Sequence, residues 1–177
     1  MSTTTKWGLI TGMVYVIINL VVNMTGIQQP GSTSGMGTGL LINSLLFLAT
    51  FATIFLGVKE TRDEDLNGFL TLSQGFKTGL KIAFIAGLIA GVFTFIYMQF
   101  IDPDFSERMM SAAEDQLDEK DVPEESREMA LKFSGFMANP IFMGAFMIIW
   151  VVFWGLIKSL FAGMILKKDP PVTYPTA

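Results

Sequence analysis

Two lysines interrupt long apolar runs of this sequence. Lys81 and Lys158 are the only charged residues well inside such runs, and a lysine at the centre of a membrane helix costs about 2.5–3.5 kcal/mol on insertion scales. Lys158 lies roughly 12 Å from the end of its run at 1.5 Å per helical residue. With other lysines of the same side they predict a basic pocket for a phospholipid head group: Lys77, Lys81, Lys158, Lys167 and Lys168. The alternative is that each lysine only reaches the membrane surface along its own stem.

Three polar residues form a second candidate group. Asn19, Asn43 and Thr94 all lie about 8–9 Å below the outer membrane boundary at the rise of an α-helix. They predict one polar layer. Its side chains either form hydrogen bonds between helices or line the floor of a shallow pocket open to the outside.

Other chemistry is disfavoured by the residue types. The chain has no cysteine and no histidine, and its apolar runs hold no aspartate or glutamate. Redox and metal-dependent membrane enzymes use Cys or His ligands, and proton-coupled carriers keep an ionisable residue at mid-membrane. We therefore predict no catalytic residue, cofactor or metal, and no enzyme activity. No basic patch is large enough to predict a nucleic-acid partner.

Four apolar runs must position these residues. They cover residues 7–25, 38–58, 78–100 and 141–166 of a chain that is 51% hydrophobic. Each has about the 20 residues that cross a bilayer core, and backbone groups in lipid must bond within their own segment. We predict an all-α integral membrane protein with one four-helix domain over residues 1–177, an uncleaved first span and a disordered tail at 169–177.

Small residues recur at every fourth position in these runs. The third run carries the stripe Gly75, Gly79, Ala83, Gly87 and Gly91, and the fourth carries Gly155, Ser159 and Gly163. This spacing lets helices approach closely and predicts packing within the bundle, with dimerisation as the alternative. Since steps of four drift about 40° each around a helix, we expect the longer stripe to face two neighbours.

The connection over residues 102–139 is acidic. It holds eleven of the sixteen acidic residues, between Asp102 and Glu128. Asp102-Pro103 and Val122-Pro123 are typical of helix starts, and apolar residues follow each at helical spacing. We predict a hairpin of two helices outside the membrane between the third and fourth spans, with two helices that extend those spans as the alternative.

Lysine and arginine set the predicted orientation. They concentrate in the amino end, the second connection and the tail, which share one side of a four-span protein. Because basic residues mark the cytoplasmic side, we predict a multi-pass membrane protein with both termini in the cytoplasm and the acidic hairpin outside.

Two segments carry a family resemblance. Residues 68–79 read GFLTLSQGFKTG, in which Thr71–Lys77 predicts a capped start of the third helix, and residues 97–105 read YMQFIDPDF. Both resemble signatures of a family of small membrane proteins found mainly in Bacteroidota and catalogued as domain of unknown function DUF4199. The resemblance implies four spans, an acidic helical loop and a bacterial host, so we expect the protein in the bacterial cytoplasmic (inner) membrane. It implies no reaction and no catalytic residues.

These observations predict a non-enzymatic accessory or scaffold protein. Its expected partners are membrane lipids, and a second copy of the chain or another membrane protein. The alternative is a subunit of a small transporter or channel, built around Asn19, Asn43 and Thr94.

Overall fold

The computed structural model describes residues 1–25, 36–119 and 122–169, and within them the chain forms six α-helices and no strand. The helices are α1 (Thr3–Thr25), α2 (Met36–Glu60), α3 (Leu72–Ile96), α4 (Phe105–Asp118), α5 (Glu124–Ala138) and α6 (Pro140–Leu166). Helices α1, α2, α3 and α6 are long and apolar enough to cross a membrane. This confirms the predicted all-helical fold with four candidate spans. The predicted disordered tail lies, from residue 170 on, outside the described residues.

The start of α3 has the predicted cap. The Thr71 hydroxyl accepts from the Gln74 amide at 3.3 Å, and the Gln74 side chain accepts from the Thr71 amide at 2.9 Å. This reciprocal capping box satisfies two amides that the first helical turn leaves free. Helix α3 therefore begins at Leu72, six residues before the apolar run that identified it. At its other end it continues as a π-helical turn, Tyr97–Ile101.

The four long helices alternate in direction. Lys6 at the start of α1 pairs with Glu60 at the end of α2. Leu70, just before α3, exchanges two backbone hydrogen bonds of 2.8 Å with Lys168, just after α6. The starts of α1 and α3 therefore lie at the same end of the bundle as the ends of α2 and α6. We call this the basic end, and its basic residues are Lys6, Lys59, Arg62, Lys77, Lys167 and Lys168.

Helix α3 is central, and its closest partner is α6. A β-carbon added to Gly75 would lie 2.8 Å from the Gly163 Cα, and one added to Gly79 would lie 2.5 Å from the Ser159 hydroxyl oxygen. All five stripe positions meet α6: Gly75, Gly79, Ala83, Gly87 and Gly91. The premise that five such positions cannot all face one neighbour is therefore wrong, although Gly75 also lies near Val58 of α2. The contacting residues of α6 also step by about four, so the two rows can follow one another along both helices.

Helices α1 and α2 also pack closely against α3. Gly8 and Gly12 of α1 lie against Ile85 and Ile89 of α3. A cluster of buried side chains joins α2, α3 and α6: Ile54, Val58, Leu70, Ile82, Ala83, Ala162 and Leu166. The bundle is therefore closed at the basic end by direct contact of its helices.

Helices α4 and α5 form an antiparallel hairpin at the opposite end. The Ser106 hydroxyl at the start of α4 donates to the Ala138 carbonyl at the end of α5, at 2.7 Å. At the other end of the hairpin, Arg127 pairs with Asp118. Helix α4 begins two residues after the Pro103 start that the sequence favours. Asp102 instead accepts from Arg108 and so holds the turn between α3 and α4.

Candidate functional site

A cavity of about 650 Å³ lies between α2 and α6, with α1 and α3 behind it. Its size is within the range of small-molecule sites, about 300–1,000 Å³. The apolar part of the lining includes Leu40, Phe47, Leu48, Ile54, Trp150 and Trp154. The polar part consists of Thr11, Tyr15, Asn43, Ser44, Thr50 and Lys158. The lining thus combines a large apolar surface with a few polar groups, as ligand sites do.

Lys158 lies at the deep end of this cavity. Its ammonium group donates to the Thr50 hydroxyl at 2.6 Å and lies 4.5 Å from the centre of the Phe47 ring, within the range of a cation–π contact. The residue is only 8% exposed. Its neighbour Ser159 packs against Gly79 of α3. Because the next residue of a helix is turned by about 100°, the α3 contact fixes α6 so that Lys158 faces α2.

The charge of Lys158 has no carboxylate partner within residues 1–25, 36–119 and 122–169. Each ion pair within these ranges joins an acidic residue to a basic residue other than Lys158. An ammonium group has three donor hydrogens, and Thr50 takes one of them. The site therefore keeps donor capacity for an anionic group.

The other lysines of the predicted basic pocket lie elsewhere. Lys77 and Lys81 are exposed on α3. Lys167 pairs with Asp169 at 3.0 Å, and Lys168 lies 5.6 Å from the centre of the Phe69 ring. Of the five lysines in the predicted pocket, Lys158 is the one that lines the cavity, where it contacts Thr50 and Phe47 of α2.

The three residues of the predicted polar layer are used separately. The Asn19 side chain donates to the Tyr15 carbonyl at 2.9 Å, and the Asn43 side chain donates to the Gly39 carbonyl at 2.8 Å, each within its own helix. Asn43 lines the cavity, whereas Thr94 is half-buried on α3 outside the lining. One member of the predicted layer therefore belongs to the cavity.

Sequence reasoning missed Thr50. It lies about ten residues before the end of α2, and Lys158 lies about eight residues before the end of α6, so both are at similar depths at 1.5 Å per residue. Their similar depth from the basic end was the sequence feature that could have suggested this contact. It did not decide which face of α6 carried the lysine, because that depends on the α3 contact.

A second polar group that the sequence reasoning missed closes the basic end. Glu60 accepts from the Lys6 ammonium and, at 3.0 Å, from the Trp7 indole nitrogen. One turn of α1 further on, the Thr11 and Thr53 hydroxyls lie 3.0 Å apart. These contacts join α1 to α2. Opposite charges at the ends of consecutive antiparallel helices were the signal for the Lys6–Glu60 pair.

Comparison with known protein families gives a match over most of the chain. Residues 6–168 match the family described as Protein of unknown function (DUF4199), and this range includes most of α1 and all of α2 to α6. No curated protein and no solved structure matches significantly. The match covers far more than half of the chain, as the two signature segments indicated. The chain therefore belongs to the DUF4199 family.

Proposed function

We propose that this chain is a non-enzymatic accessory or scaffold protein of the bacterial inner membrane that contacts lipid or another membrane protein. The observation that carries the proposal is the α3–α6 pair, in which small residues bring the two helices into contact along most of the span. The α4–α5 hairpin is mounted on this pair, since it connects the end of α3 to the start of α6. A rigid support that presents one acidic hairpin is suited to holding a partner.

The contacts also support an orientation. The basic end gathers the starts of α1 and α3 with the ends of α2 and α6, and it carries most of the lysine and arginine residues near helix ends. By the positive-inside rule this end is cytoplasmic. Both termini are then cytoplasmic, and the α4–α5 hairpin faces the outside.

Site-specific photo-crosslinking tests the scaffold role. A photoreactive residue replaces the exposed Glu114 of α4, and a control replaces Leu41, which is 72% exposed on the apolar surface of α2. We expect a protein adduct of defined mass at position 114 in native membranes and lipid adducts at position 41. A second copy of the chain in the adduct would identify a homo-oligomer. Lipid adducts alone at both positions would contradict a scaffold role for the hairpin.

The cavity favours a second candidate, a transporter or channel subunit. Thr50 and Lys158 place polar groups at one depth of the cavity, and Asn43 places another about two helical turns away along α2. A path across the membrane would then need further copies or another subunit. Solute flux into proteoliposomes, abolished by Asn43→Leu, supports this candidate, and absence of flux over a broad panel of solutes argues against it.

A further inference from the structure

We propose that the cavity between α2 and α6 binds an amphiphile with one anionic group, a carboxylate or a phosphate, that pairs with Lys158. Its hydrocarbon chain lies along α2 toward Leu40. This site is separate from the hairpin, so the proposal holds or fails independently of the scaffold role.

The charge of Lys158 specifies the anionic group. A charged side chain taken out of water is stable only when it is paired or hydrogen-bonded. Lys158 is 8% exposed, and in the described part of the chain its partners are one neutral hydroxyl and one aromatic ring. An anion in the cavity would supply the missing partner at the point where the ammonium group faces the open space.

The lining specifies the rest of the ligand. Along α2 it extends from Thr50, the hydrogen-bond partner of Lys158, to Leu40. At 1.5 Å per residue this is about 15 Å, a length that suits an acyl chain. Most side chains along this path are apolar, so they favour a hydrocarbon body over a polar solute.

The rim specifies how the ligand enters. Leu40, Leu48 and Trp150 line the cavity and are 69%, 61% and 46% exposed on the apolar surface of the bundle. In a bilayer this surface meets acyl chains. The cavity is thus open sideways to the hydrocarbon, and an amphiphile enters it from the membrane. Phe47 and Trp154, in edge-to-face contact at 5.8 Å, join α2 to α6 beside the lysine.

Two of the three tryptophans allow a direct test, because Trp150 and Trp154 line the cavity and Trp7 does not. Dibromostearate is titrated into the detergent-purified full chain carrying Trp7→Phe, and the quenching of tryptophan fluorescence is measured. Matched variants are Lys158→Met, which removes the charge at the cavity, and Lys81→Met, which removes an exposed one. The methyl ester of dibromostearate is the neutral probe.

We expect saturable quenching by dibromostearate in the parent and in Lys81→Met. In Lys158→Met the apparent Kd for dibromostearate rises about ten-fold or more, as the loss of a charge-assisted hydrogen bond implies. The methyl ester should bind to the parent as weakly as the acid binds to Lys158→Met. A brominated lysophosphatidate tests whether the anionic group of the natural ligand is a phosphate. If it binds more tightly than dibromostearate, the ligand is a phospholipid, and if it binds more weakly, the ligand is a fatty acid.

Three results would overturn the proposal. The first is equal affinity of Lys158→Met and Lys81→Met for dibromostearate. The second is an ester that binds as tightly as the acid. The third is quenching that fails to saturate with both anionic probes. Should Lys158→Met fail to fold, Ser44→Phe fills the cavity away from the lysine. Unchanged affinity in that variant would also overturn the proposal, and a weakened one would support it.

Discussion

Gly144 of α6 faces Gly91 of α3 so closely that a β-carbon added to Gly144 would lie 2.9 Å from the Gly91 carbonyl oxygen. The obstacle is backbone, which cannot move aside as the end of a side chain can. The two helices must separate to accept any larger residue here. The α3–α6 pair therefore depends on the absence of one methyl group.

Gly144→Ala is expected to destabilise the bundle by about 1–3 kcal/mol, the usual cost of overpacking. The matched control is Gly135→Ala in α5, where an added β-carbon would have no neighbour within 4 Å. In that helix the change should be neutral or stabilise by up to about 1 kcal/mol, because glycine is a poor helix former. Thermal unfolding in one detergent compares the two. Equal stability of the two variants would contradict the close α3–α6 contact.

Asn139→Ala should weaken the start of α6. The Asn139 side chain accepts from the amides of Ile141 and Phe142 at 3.0 and 3.2 Å, ahead of Pro140 at the first helical position. Loss of such a cap costs about 0.5–2 kcal/mol. Asn139→Asp keeps the acceptor and serves as the control. Amide hydrogen exchange in the first turn of α6 should rise in the alanine variant and not in the aspartate variant.

Glu60→Gln should loosen α1 from α2 at the basic end. Glu60 accepts from both Lys6 and Trp7, so the neutral amide loses the ion pair and keeps at most the indole contact. We expect a lower Tm and a shift in Trp7 emission, best seen with Trp150 and Trp154 replaced by phenylalanine. Glu64→Gln, which changes an exposed acid nearby, is the control. An unchanged Trp7 spectrum in Glu60→Gln would show that the indole has another partner.

The α4–α5 hairpin should hold its closing ion pair over a wide pH range. The hydrogen bond to Asp118 raises the pKa of Arg127 above its usual range. A raised pKa of a basic group contributes stability at every pH below its unfolded value, and that contribution is lost only as pH rises through the folded value. Amide exchange at the closed end of the hairpin, corrected for the intrinsic rate, should therefore not change from about pH 7 to about pH 10.

Arg127→Gln should raise that exchange at all these pH values, since it removes the charge itself. Lys132→Gln is the control, because Lys132 pairs with Glu128 within α5 and both are well exposed. A hairpin whose exchange increases already near pH 9 would show that another group holds it closed.

Single cysteines test the orientation, and the chain has none of its own. Ser111→Cys lies exposed on α4, and Glu64→Cys lies exposed at the basic end. A membrane-impermeant maleimide should label the first in intact spheroplasts and the second only after lysis. The reverse pattern would place the hairpin in the cytoplasm.

The sequence was sufficient for the helices and insufficient for the cavity. Apolar length alone predicts four spans, and Thr71 and Gln74 predict where α3 begins. The cavity depends on rotation about the axis of α6, which no single-helix pattern specifies. That rotation is fixed by contacts such as Ser159 with Gly79, and only then does Lys158 turn toward Thr50. Pairing of side chains on different helices is a property of the assembled bundle.

The backbone pairing of Leu70 with Lys168 has a consequence for biogenesis. Leu70 leaves the ribosome long before Lys168 is synthesised, so these two backbone hydrogen bonds form only after α6 has entered the membrane. Until then the glycine-rich face of α3 has no α6 to cover it, and the insertion machinery or lipid must shield it. Helix α6, the last of the four long helices in the described residues, therefore completes the α3–α6 contact, and a chain truncated before α6 should be a substrate for membrane quality-control proteases.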